Sequence, residues 1–555
     1  MDTPPPFRLS DYPVVIGIDF GTTYSGAAYG ITTSENEVCD ISTWPKQAAY
    51  RYPKVPTISL YHPDSLKLAH WGSAVRAECN KNNLKHQYVL LQQFKLFLDD
   101  TLGDVLRVPE GFNVIEIIAD YLREFHAHVL SEMRKGFAHQ FEGRYRYCLT
   151  VPAMWNDKAK QMMREASILA GIIDKDDHHD RLMLISEPEA AAIYCEKACD
   201  QFSMEDGDEF MICDAGGGTL DLIVFNVKMD AQGNRKFQES AKGMGKSCGS
   251  VFIDKKMRKL LKSKLNKVTS GRVPVHALEN MMEHFIERLK PSFDGTEDQY
   301  LELPMNAGLT EHTMPSIGLG DGMLRFSLEE LKTKVYEPVV KEVLELVHKQ
   351  KSEVTNLKAI FMVGGFGSSQ YLYSRVHEEF EPLGCKVISP PRAEMAVCRG
   401  AVYFGMNPTK VSVRIPRNWY GIDITSPFNE LLDPPEYKIV NPDGSIRCDH
   451  RFSIFVHRGK PLDIDKCTSK RYTTYYPRST ACTFYAASIE EEPRYVIQEG
   501  VRKVFDFEIP MPRLPDLMPG DPVELTINMY FGEVELRVEA MIRDKTYQVV
   551  CNFNV

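Results

Sequence analysis

The feature that most constrains this chain is a glycine turn between two apolar runs, at residues 210–227. The first run ends at Asp214, three consecutive glycines occupy 216–218, and a second apolar run continues to Val227. This order predicts a β-hairpin. Because glycines carry no Cβ, the backbone N–H groups of the turn can close around the oxygens of a phosphate. Asp214 before the turn and Asp221 after it add carboxylates that can hold a metal ion beside that phosphate.

The same arrangement occurs near the N-terminus. The apolar run 14–18 ends at Asp19, and Gly21 and two threonines follow before the next apolar stretch. One isolated hairpin of this kind is equally well explained by an ordinary tight turn. Two copies far apart in the chain predict two related lobes, each presenting a phosphate-binding hairpin to a shared cleft.

Length, charge and cysteine usage narrow the class of protein. A chain of 555 residues is too long for one core, so two to four domains are expected. The net charge of −10 argues against nucleic acid as the main partner. Thirteen cysteines without a Cys-x-x-Cys pair indicate reduced thiols, as in the cytoplasm or nucleus. We find no signal-peptide pattern and no apolar run long enough to span a membrane.

Further strands end at residues that suit ligand binding. Glu187 stands where a short apolar strand meets an alanine-rich helix, and Gly364 and Gly365 follow the apolar run 357–363. In α/β sheets such strand ends carry ligand groups, and a glycine turn before a helix presents amides to an anion. The stretch 82–98, which contains Lys95, has a polar–apolar pattern that predicts a helix.

The pattern changes near Thr409. From there apolar and polar residues alternate with period two, as in Val523–Met529, Val534–Val538 and Tyr547–Val555. Such strands separated by proline and glycine turns predict an antiparallel β domain.

Four segments together resemble the heat-shock protein 70 family, within the fold shared by actin, sugar kinases and heat-shock ATPases. These are Ile16–Ser25, Asp214–Asp221, Ser186–Tyr194 and Met362–Gly365. The resemblance extends over nearly the whole chain.

The resemblance implies a division of the chain. A flexible N-terminus (1–13) would precede a two-lobed, actin-like α/β ATPase domain (14–408). A linker (409–416) and a β-sandwich resembling the peptide-binding domain (417–555) would follow. The expected cofactors are ATP or ADP and Mg²⁺.

The resemblance also carries residue roles. Asp19, Asp214 and Asp221 correspond to the carboxylates around hydrated Mg²⁺, and the catalytic positions are Lys95, Glu187, Asp214 and Thr219. The expected nucleotide contacts are Gly21, Thr22, Thr23, Tyr24, Gly216, Gly217, Gly218, Thr219, Glu287, Lys290, Gly364, Gly365, Ser368 and Glu394. Pro152 and Lys160 match a switch between the domains, with lysine where the family has arginine, which loses the forked donor geometry.

Several positions depart from the family pattern. Pro291 and Ser368 stand where two arginines sandwich the adenine, so we expect weaker and less base-selective binding. The leucine-rich linker is replaced by 407–416, which puts J-domain co-chaperones and nucleotide-exchange factors in doubt as partners. The chain ends at Val555 on a predicted strand, so we expect a member without the helical lid.

The leading hypothesis is a monomeric chaperone-like protein that hydrolyses ATP slowly and binds extended or unfolded peptide through its β domain. One alternative is a nucleotide-binding scaffold with negligible turnover, favoured by the lost arginines and the altered linker. A sugar-kinase-like phosphotransferase is the least favoured, because the β domain would then have no role.

Overall fold

The structure is a computed structural model that describes residues 9–33, 37–47, 52–79, 88–99, 107–137, 140–199, 203–269, 274–441, 444–464, 466–530 and 537–549. It is a mixed α/β protein with several sheets, which confirms the predicted α/β class. The chain forms two compact units. The first comprises Met1–Met154, Ser167–Val227 and Gly243–Pro408, and the second comprises Trp155–Ala166, Lys228–Lys242 and Thr409–Val555.

One sheet of the first unit is built around β1, whose six residues are all buried. Its strand order is β3-β2-β1-β8-β9, and β4 pairs with β2. β1, β8 and β9 run parallel, whereas β2 runs antiparallel to β1. The strands are β1 (Val14–Asp19), β2 (Tyr24–Ile31), β3 (Val38–Ile41), β4 (Val55–Pro56), β8 (Tyr145–Val151) and β9 (Leu182–Ser186).

A second sheet of this unit repeats that pattern. β10 pairs antiparallel with β11 and parallel with β17, and β17 pairs parallel with β18. A short strand, β13, adds to the outer side of β11. These strands are β10 (Glu209–Ala215), β11 (Leu220–Met229), β13 (Met244–Lys246), β17 (Leu357–Val363) and β18 (Lys386–Ile388).

Two small antiparallel sheets complete the strands of the first unit, in the orders β6-β5-β7 and β14-β16-β15. Their strands are β5 (Ile58–Tyr61), β6 (Leu68–Trp71), β7 (Val89–Gln92), β14 (Gln299–Glu302), β15 (Leu319–Gly320) and β16 (Met323–Phe326). The α-helices among the described residues of both units are α1 (Ser73–Cys79), α2 (Val114–Phe137), α3 (Asp157–Leu169), α4 (Glu187–Ala198), α5 (Val251–Thr269), α6 (Val275–His284), α7 (Lys290–Ser292), α8 (Leu328–Leu331), α9 (Glu337–Ser352), α10 (Gly364–Gly367), α11 (Gln370–Phe380) and α12 (Ala396–Met406). Most of α3 belongs to the second unit. Among the described residues, no helix is both long and apolar enough to cross a membrane.

Helices α4 and α12 pack closely against each other, and α12 also covers β1 and β8. The close approach depends on Gly400, because a Cβ there would lie 1.7 Å from the carbonyl oxygen of Ala190. Helix α4 begins at Glu187 because Ser186 and Glu189 form a capping box, in which each side chain bonds the other's backbone. The strand end before α4 is thereby fixed.

The second unit contains two antiparallel sheets that share one core. Their strand orders are β21-β22-β20-β25-β26 and β24-β27-β28-β29. Inward residues such as Phe484, Phe505 and Ile527 alternate with more exposed ones, as the period-two pattern predicted. The strands are β20 (Trp419–Pro427), β21 (Lys438–Val440), β22 (Ile446–Val456), β24 (Cys467–Tyr475), β25 (Thr480–Ala487), β26 (Val501–Ile509), β27 (Pro522–Tyr530), β28 (Arg537–Ile542) and β29 (Lys545–Val549).

The segment predicted as a linker contains a paired strand. Within 409–416, strand β19 (Val411–Arg414) lies between β12 (Arg235–Glu239) and β23 (Leu462–Asp463). The Glu239 carboxylate accepts a hydrogen bond of 2.8 Å from the backbone N–H of Ile415. Most of the predicted linker is thus a paired strand, because its apolar side chains alternate, and the division of the chain at 409–416 stays a prediction.

Two further predictions differ from the structure or fall outside it. The helix predicted over 82–98 is wrong where described, since β7 and a 3₁₀ helix, Phe94–Leu98, occupy that stretch. Residues 82–87 lie outside the described residues, as do 1–8 of the predicted flexible N-terminus, 534–536 and 550–555 of the predicted strands.

We predict that Gly400→Ala destabilises the first unit by about 3 kcal/mol, because the added methyl group meets backbone that cannot turn aside. Gly136→Ala is the matched control, since Gly136 also lies in a helix and an added Cβ has no neighbour closer than 4.0 Å. That variant should be neutral or up to about 1 kcal/mol more stable. Thermal and urea denaturation measure both, and equal stabilities would contradict the packing described.

Candidate functional site

The hairpin of β1 and β2 carries Asp19 at the end of its first strand. Asp19 is 6% exposed, and the hydroxyl of Thr150 on the neighbouring strand β8 lies 3.5 Å from its Oδ1. The turn beyond it closes tightly, because a Cβ on Gly21 would lie 2.1 Å from the carbonyl oxygen of Tyr24. The turn thus requires glycine at position 21.

The hairpin of β10 and β11 is fixed by the chain that follows it. The carbonyl oxygens of Gly216, Gly217 and Gly218 accept hydrogen bonds of 2.9–3.1 Å from the backbone N–H groups of residues 249–251. The orientation of this glycine turn is therefore set by the start of α5.

The two turns contact each other directly. A Cβ on Gly217 would lie 2.2 Å from Oγ1 of Thr23, and a Cβ on Gly218 would lie 2.6 Å from Oγ1 of Thr22. Any larger residue at 217 or 218 would force the hairpins apart. The three glycines are thus needed for the contact between hairpins as well as for the turn.

A cavity of about 1120 Å³ opens beside this contact, entirely within the first unit. Most of the predicted site residues line it, namely Asp19, Gly21, Thr22, Thr23, Tyr24, Lys95, Glu187, Asp214, Gly216, Gly217, Gly218, Thr219, Glu287, Lys290, Gly364, Gly365 and Ser368. Asp221 lies behind the lining, opposite Asp214 in the β10–β11 pair and 1% exposed. Glu394 does not line the cavity, and its carboxylate lies 4.0 Å from Arg392.

Lys95 and Glu187 form a buried ion pair with 2.5 Å between Nζ and Oε1. Lys95 lies in the 3₁₀ helix, and Glu187 is the first residue of α4, where the strand-end argument placed it. Burial, together with the charge of Asp19, raises the pKa of Glu187 to about 7, although the Lys95 ammonium lowers it. Near neutral pH this carboxyl group can therefore accept or release a proton.

A second buried ion pair was missed by the sequence argument. Lys54 Nζ lies 2.5 Å from Oδ2 of Asp19, and both residues line the cavity. The pair depends on β4, which directly follows Lys54 and pairs with β2. The sequence shows only a lysine before a short Val-Pro strand, so the partner of that strand had to be known before Lys54 could be assigned to the site.

Asp214 provides the carboxylate best suited to a metal ion. Burial, followed by the charge of Glu187, holds the pKa of Asp214 well above its ordinary value, so the site favours an added cation there. The next glycine turn leaves space at this carboxylate, because a Cβ on Gly364 would lie 2.5 Å from Oδ1 of Asp214. Carboxylate oxygens are the ligands that Mg²⁺ prefers, so the residues fit that ion.

The residues predicted to bond the nucleoside already have partners. Arg76 on α1 lies 2.5 Å from the Glu287 carboxylate and donates a hydrogen bond of 2.8 Å to Tyr24 Oη. Lys290 pairs with Asp254 at 2.7 Å. Arg76 was also missed, because its contacts join parts of the chain that are far apart in sequence.

The two positions expected to lie beside the adenine line the same cavity. Pro291 and Ser368 both line it, and the Ser368 hydroxyl donates a hydrogen bond of 2.9 Å to the carbonyl oxygen of Gly364. Neither side chain can provide the cation–π contact with adenine that arginine provides.

The predicted switch residues do not line the cavity. Pro152 directly follows β8, and Lys160 lies on α3 with its Nζ 3.9 Å from an oxygen of Asp157. Their role in coupling stays a prediction.

The model of the Hsp70 protein family matches residues 120–406, more than half of the chain. The chain belongs to the Hsp70 family. This membership confirms the resemblance seen in the four motifs, and it assigns a nucleotide-binding ATPase domain of the Hsp70 type to a chain that diverges from its relatives.

Curated relatives show how far the chain diverges. It is 26% identical to human heat shock 70 kDa protein 12A over 611 aligned residues, which cover 95% of this chain and 89% of that protein. Human heat shock 70 kDa protein 12B is 25% identical, and the alignment covers 96% of this chain and 90% of that protein. Chaperone protein DnaK of Stenotrophomonas maltophilia (strain R551-3) is 25% identical, with 70% of this chain and 59% of DnaK covered.

The raised pKa of Glu187 predicts a pH-dependent stability. Below about pH 4.5, the ordinary pKa, the folded and unfolded chains both hold this proton, and above about pH 7 neither does. Between these values the unfolded chain loses its proton first, so the free energy of unfolding falls as pH rises. Replacing Glu187 by Gln removes the titrating carboxyl group, and with it this pH-dependent fall in the free energy of unfolding.

We therefore predict that Glu187→Gln gains stability relative to the wild type by on the order of 2–3 kcal/mol between pH 4.5 and 8. Urea denaturation across that range measures the difference. Glu116→Gln, at an exposed position on α2, is the control and should differ little from the wild type throughout. A Glu187→Gln difference that does not change with pH would contradict the raised pKa.

Proposed function

We propose that the protein binds ATP or ADP with Mg²⁺ in the cavity of the first unit, hydrolyses ATP slowly, and binds extended peptide through the sheets of the second unit. The observation that carries the proposal is the contact between the two glycine turns beside buried lysine–carboxylate pairs. We interpret the two hairpin-bearing sheets as related lobes of an actin-like ATPase domain.

Phosphate is the group that suits the junction of the two turns. Glycine turns can approach phosphate oxygens closely because no side chain intervenes, and both turns end strands that carry an aspartate. The glycine turn at the start of α10 supports a third contact with an anion or nucleoside. A bound Mg²⁺ would neutralise charge on the phosphates, and Asp214, supported by Asp221, would hold it.

The catalytic groups support slow rather than fast turnover. Lys95 can stabilise charge on the terminal phosphate, and Thr219 lines the same cavity. Glu187 can orient water or accept its proton, but its carboxylate is held by the Lys95 ammonium at 2.5 Å. A base that must leave its ion pair to act is expected to limit the rate.

Exposed apolar residues support peptide binding by the second unit. Four of them lie between the end of β20 and the start of β22, namely Leu431 (93% exposed), Leu432 (50%), Val440 (69%) and Ile446 (47%). β21, which carries Val440, is an edge strand of its sheet. An edge strand with apolar neighbours can add an extended peptide by backbone pairing. We take the two sheets as the β-sandwich that this role requires.

A nucleotide-binding scaffold with negligible turnover is the second candidate. It is favoured by Pro291 and Ser368 at the adenine positions and by Arg76, which occupies the Glu287 carboxylate. Calorimetric titration with Mg-ATP and Mg-ADP, followed by phosphate-release measurements, separates the candidates. Binding without measurable release selects the scaffold, and no binding of either nucleotide rejects the proposed function.

We predict that Asp214→Asn lowers the rate of ATP hydrolysis about a hundredfold, because it removes the carboxylate placed to hold the metal ion. The Asn side chain has nearly the same shape, so the melting temperature should not fall. Phosphate release at saturating Mg-ATP measures the rate. Asp64→Asn, an exposed turn residue outside the cavity, is the control. Equal rates in the wild type and Asp214→Asn would reject this role for Asp214.

We predict that the double variant Leu431→Ser/Val440→Ser weakens binding of an extended apolar peptide by about tenfold or more, since each lost apolar contact is worth on the order of 1–2 kcal/mol. Fluorescence anisotropy with a labelled peptide measures the affinity. Met518→Ser is the matched control, an apolar residue 74% exposed elsewhere in the same unit. If the control weakens binding equally, the segment 431–446 is not the peptide site.

A further inference from the structure

We propose that Lys54 is a phosphate-binding residue, and that its ammonium gives this protein a nucleotide affinity that persists without a divalent cation. The inference rests on the proposed nucleotide binding and identifies a contact that the motif residues do not include. Its starting point is the buried pair of Lys54 with Asp19, at the end of β1 and just before the first of the two turns.

Lys54 is held in place by the strand that follows it. In the β4–β2 pair, Val55 lies opposite Ser25 and Pro56 opposite Tyr24, next to the first phosphate hairpin. The backbone N–H of Thr57 donates a hydrogen bond of 2.8 Å to the carbonyl oxygen of Thr23, within the turn itself. Lys54 is therefore attached to the same rigid element as the turn.

The backbone before β4 is held as well. The indole N–H of Trp44 donates a hydrogen bond of 2.9 Å to the carbonyl oxygen of Pro53. The amide of Gln47 donates to the carbonyl oxygens of Tyr52 at 2.8 Å and of Lys54 at 3.2 Å. These bonds limit the movement of the lysine backbone, so little entropy is lost when its head group binds a ligand.

The stem of Lys54 fits a space left by glycine. A Cβ on Gly26 would lie 2.8 Å from Lys54 Cγ and 3.0 Å from the sulfur of Cys398. The residue is 6% exposed, yet it belongs to the cavity lining, as does its ion-pair partner Asp19. A lysine whose stem is packed and whose ammonium faces a cavity differs from a surface lysine, which loses side-chain entropy on binding.

The ammonium remains charged in this position. The Asp19 carboxylate, whose Oδ2 lies 2.5 Å from Lys54 Nζ, favours the charged form of the amine. Lys54 is paired with Asp19 and Lys95 with Glu187, and the charge of Lys54 also acts on Asp214. The pKa of Asp214 nevertheless stays well above its ordinary value, so this carboxyl group favours an added metal ion.

The charge balance explains why phosphate is the expected ligand. Without Lys54 and without metal, the carboxylates of Asp19 and Asp214 would repel an anion that approaches the turns. With Lys54, an arriving phosphate finds an ammonium that is already bound to Asp19 in the cavity lining and can share its donors with that carboxylate. The nucleotide can then bind before, or without, the divalent cation.

A purely structural ion pair would behave differently. If Lys54 only stabilised the fold, replacing it would weaken the binding of adenosine, AMP and ATP equally, or would change only the melting temperature. A contact between Lys54 and the terminal phosphates is made only by ligands that carry them. The affinity lost on replacing Lys54 should therefore depend on how many phosphates the ligand carries.

The test is calorimetric titration of the full chain with ATP, ADP and AMP, with Mg²⁺ and again with EDTA. In EDTA we expect Lys54→Met to weaken ATP and ADP binding by about tenfold to hundredfold, the loss typical of a charged hydrogen bond. AMP binding should change by less than about twofold, and Mg²⁺ should reduce the loss for ATP because the ion takes over part of the charge. Lys67→Met, an exposed lysine of the same unit outside the cavity, should match the wild type.

Each other outcome has a definite meaning. If Lys54→Met loses equal affinity for AMP and ATP, or loses affinity for neither, the phosphate contact is overturned and the proposed function is left intact. A wild type that binds ATP only with Mg²⁺ also overturns it. A wild type that binds no nucleotide in either buffer rejects the proposed function itself. If Lys54→Met does not fold, as judged by thermal denaturation, Lys54→Gln replaces it, because the amide can still donate to Asp19.

Discussion

The whole candidate site depends on one contact, the meeting of two tight turns with no side chain between them. Gly217 and Gly218 lie against Thr23 and Thr22, closer than any larger residue would allow. The contact fixes where the ends of β1 and β10 lie, and those ends carry the aspartates. The position of the charged groups is therefore a consequence of backbone packing.

Within that arrangement, electrostatics determines which buried carboxylates pair with lysines and which one favours a metal ion. Buried carboxylates close together cannot all remain ionised unless cations are supplied. The chain supplies two of these cations as the lysines that face Asp19 and Glu187. The site is thus partly neutralised by its own side chains before any ligand arrives. The pKa of Asp214 remains well above its ordinary value, so a cation bound there would stabilise its ionised form.

The sequence predicted the local parts of this site and not the long-range ones. An apolar run that ends in an aspartate and a glycine turn is a local pattern, and both hairpins, Glu187 and the 364–365 turn, which such patterns singled out, line one cavity. Lys54 and Arg76 act through partners distant in the chain, and a single sequence does not reveal which strand β4 joins. The segment 409–416 was predicted as a linker by comparison with the family, and the alternation of Val411 and Val413 indicates the strand that the structure has there.

The strand β19 has a practical consequence for fragments of this protein. Its neighbour β12 comes from residues 235–239, and the buried hydroxyl of Tyr420 donates its hydrogen bond to Asp157 at 2.9 Å. A truncated protein that starts at Thr409 would leave one edge of β19 unpaired and that hydroxyl without its acceptor. The second unit is encoded in three separate places, so cutting the chain once cannot release it whole.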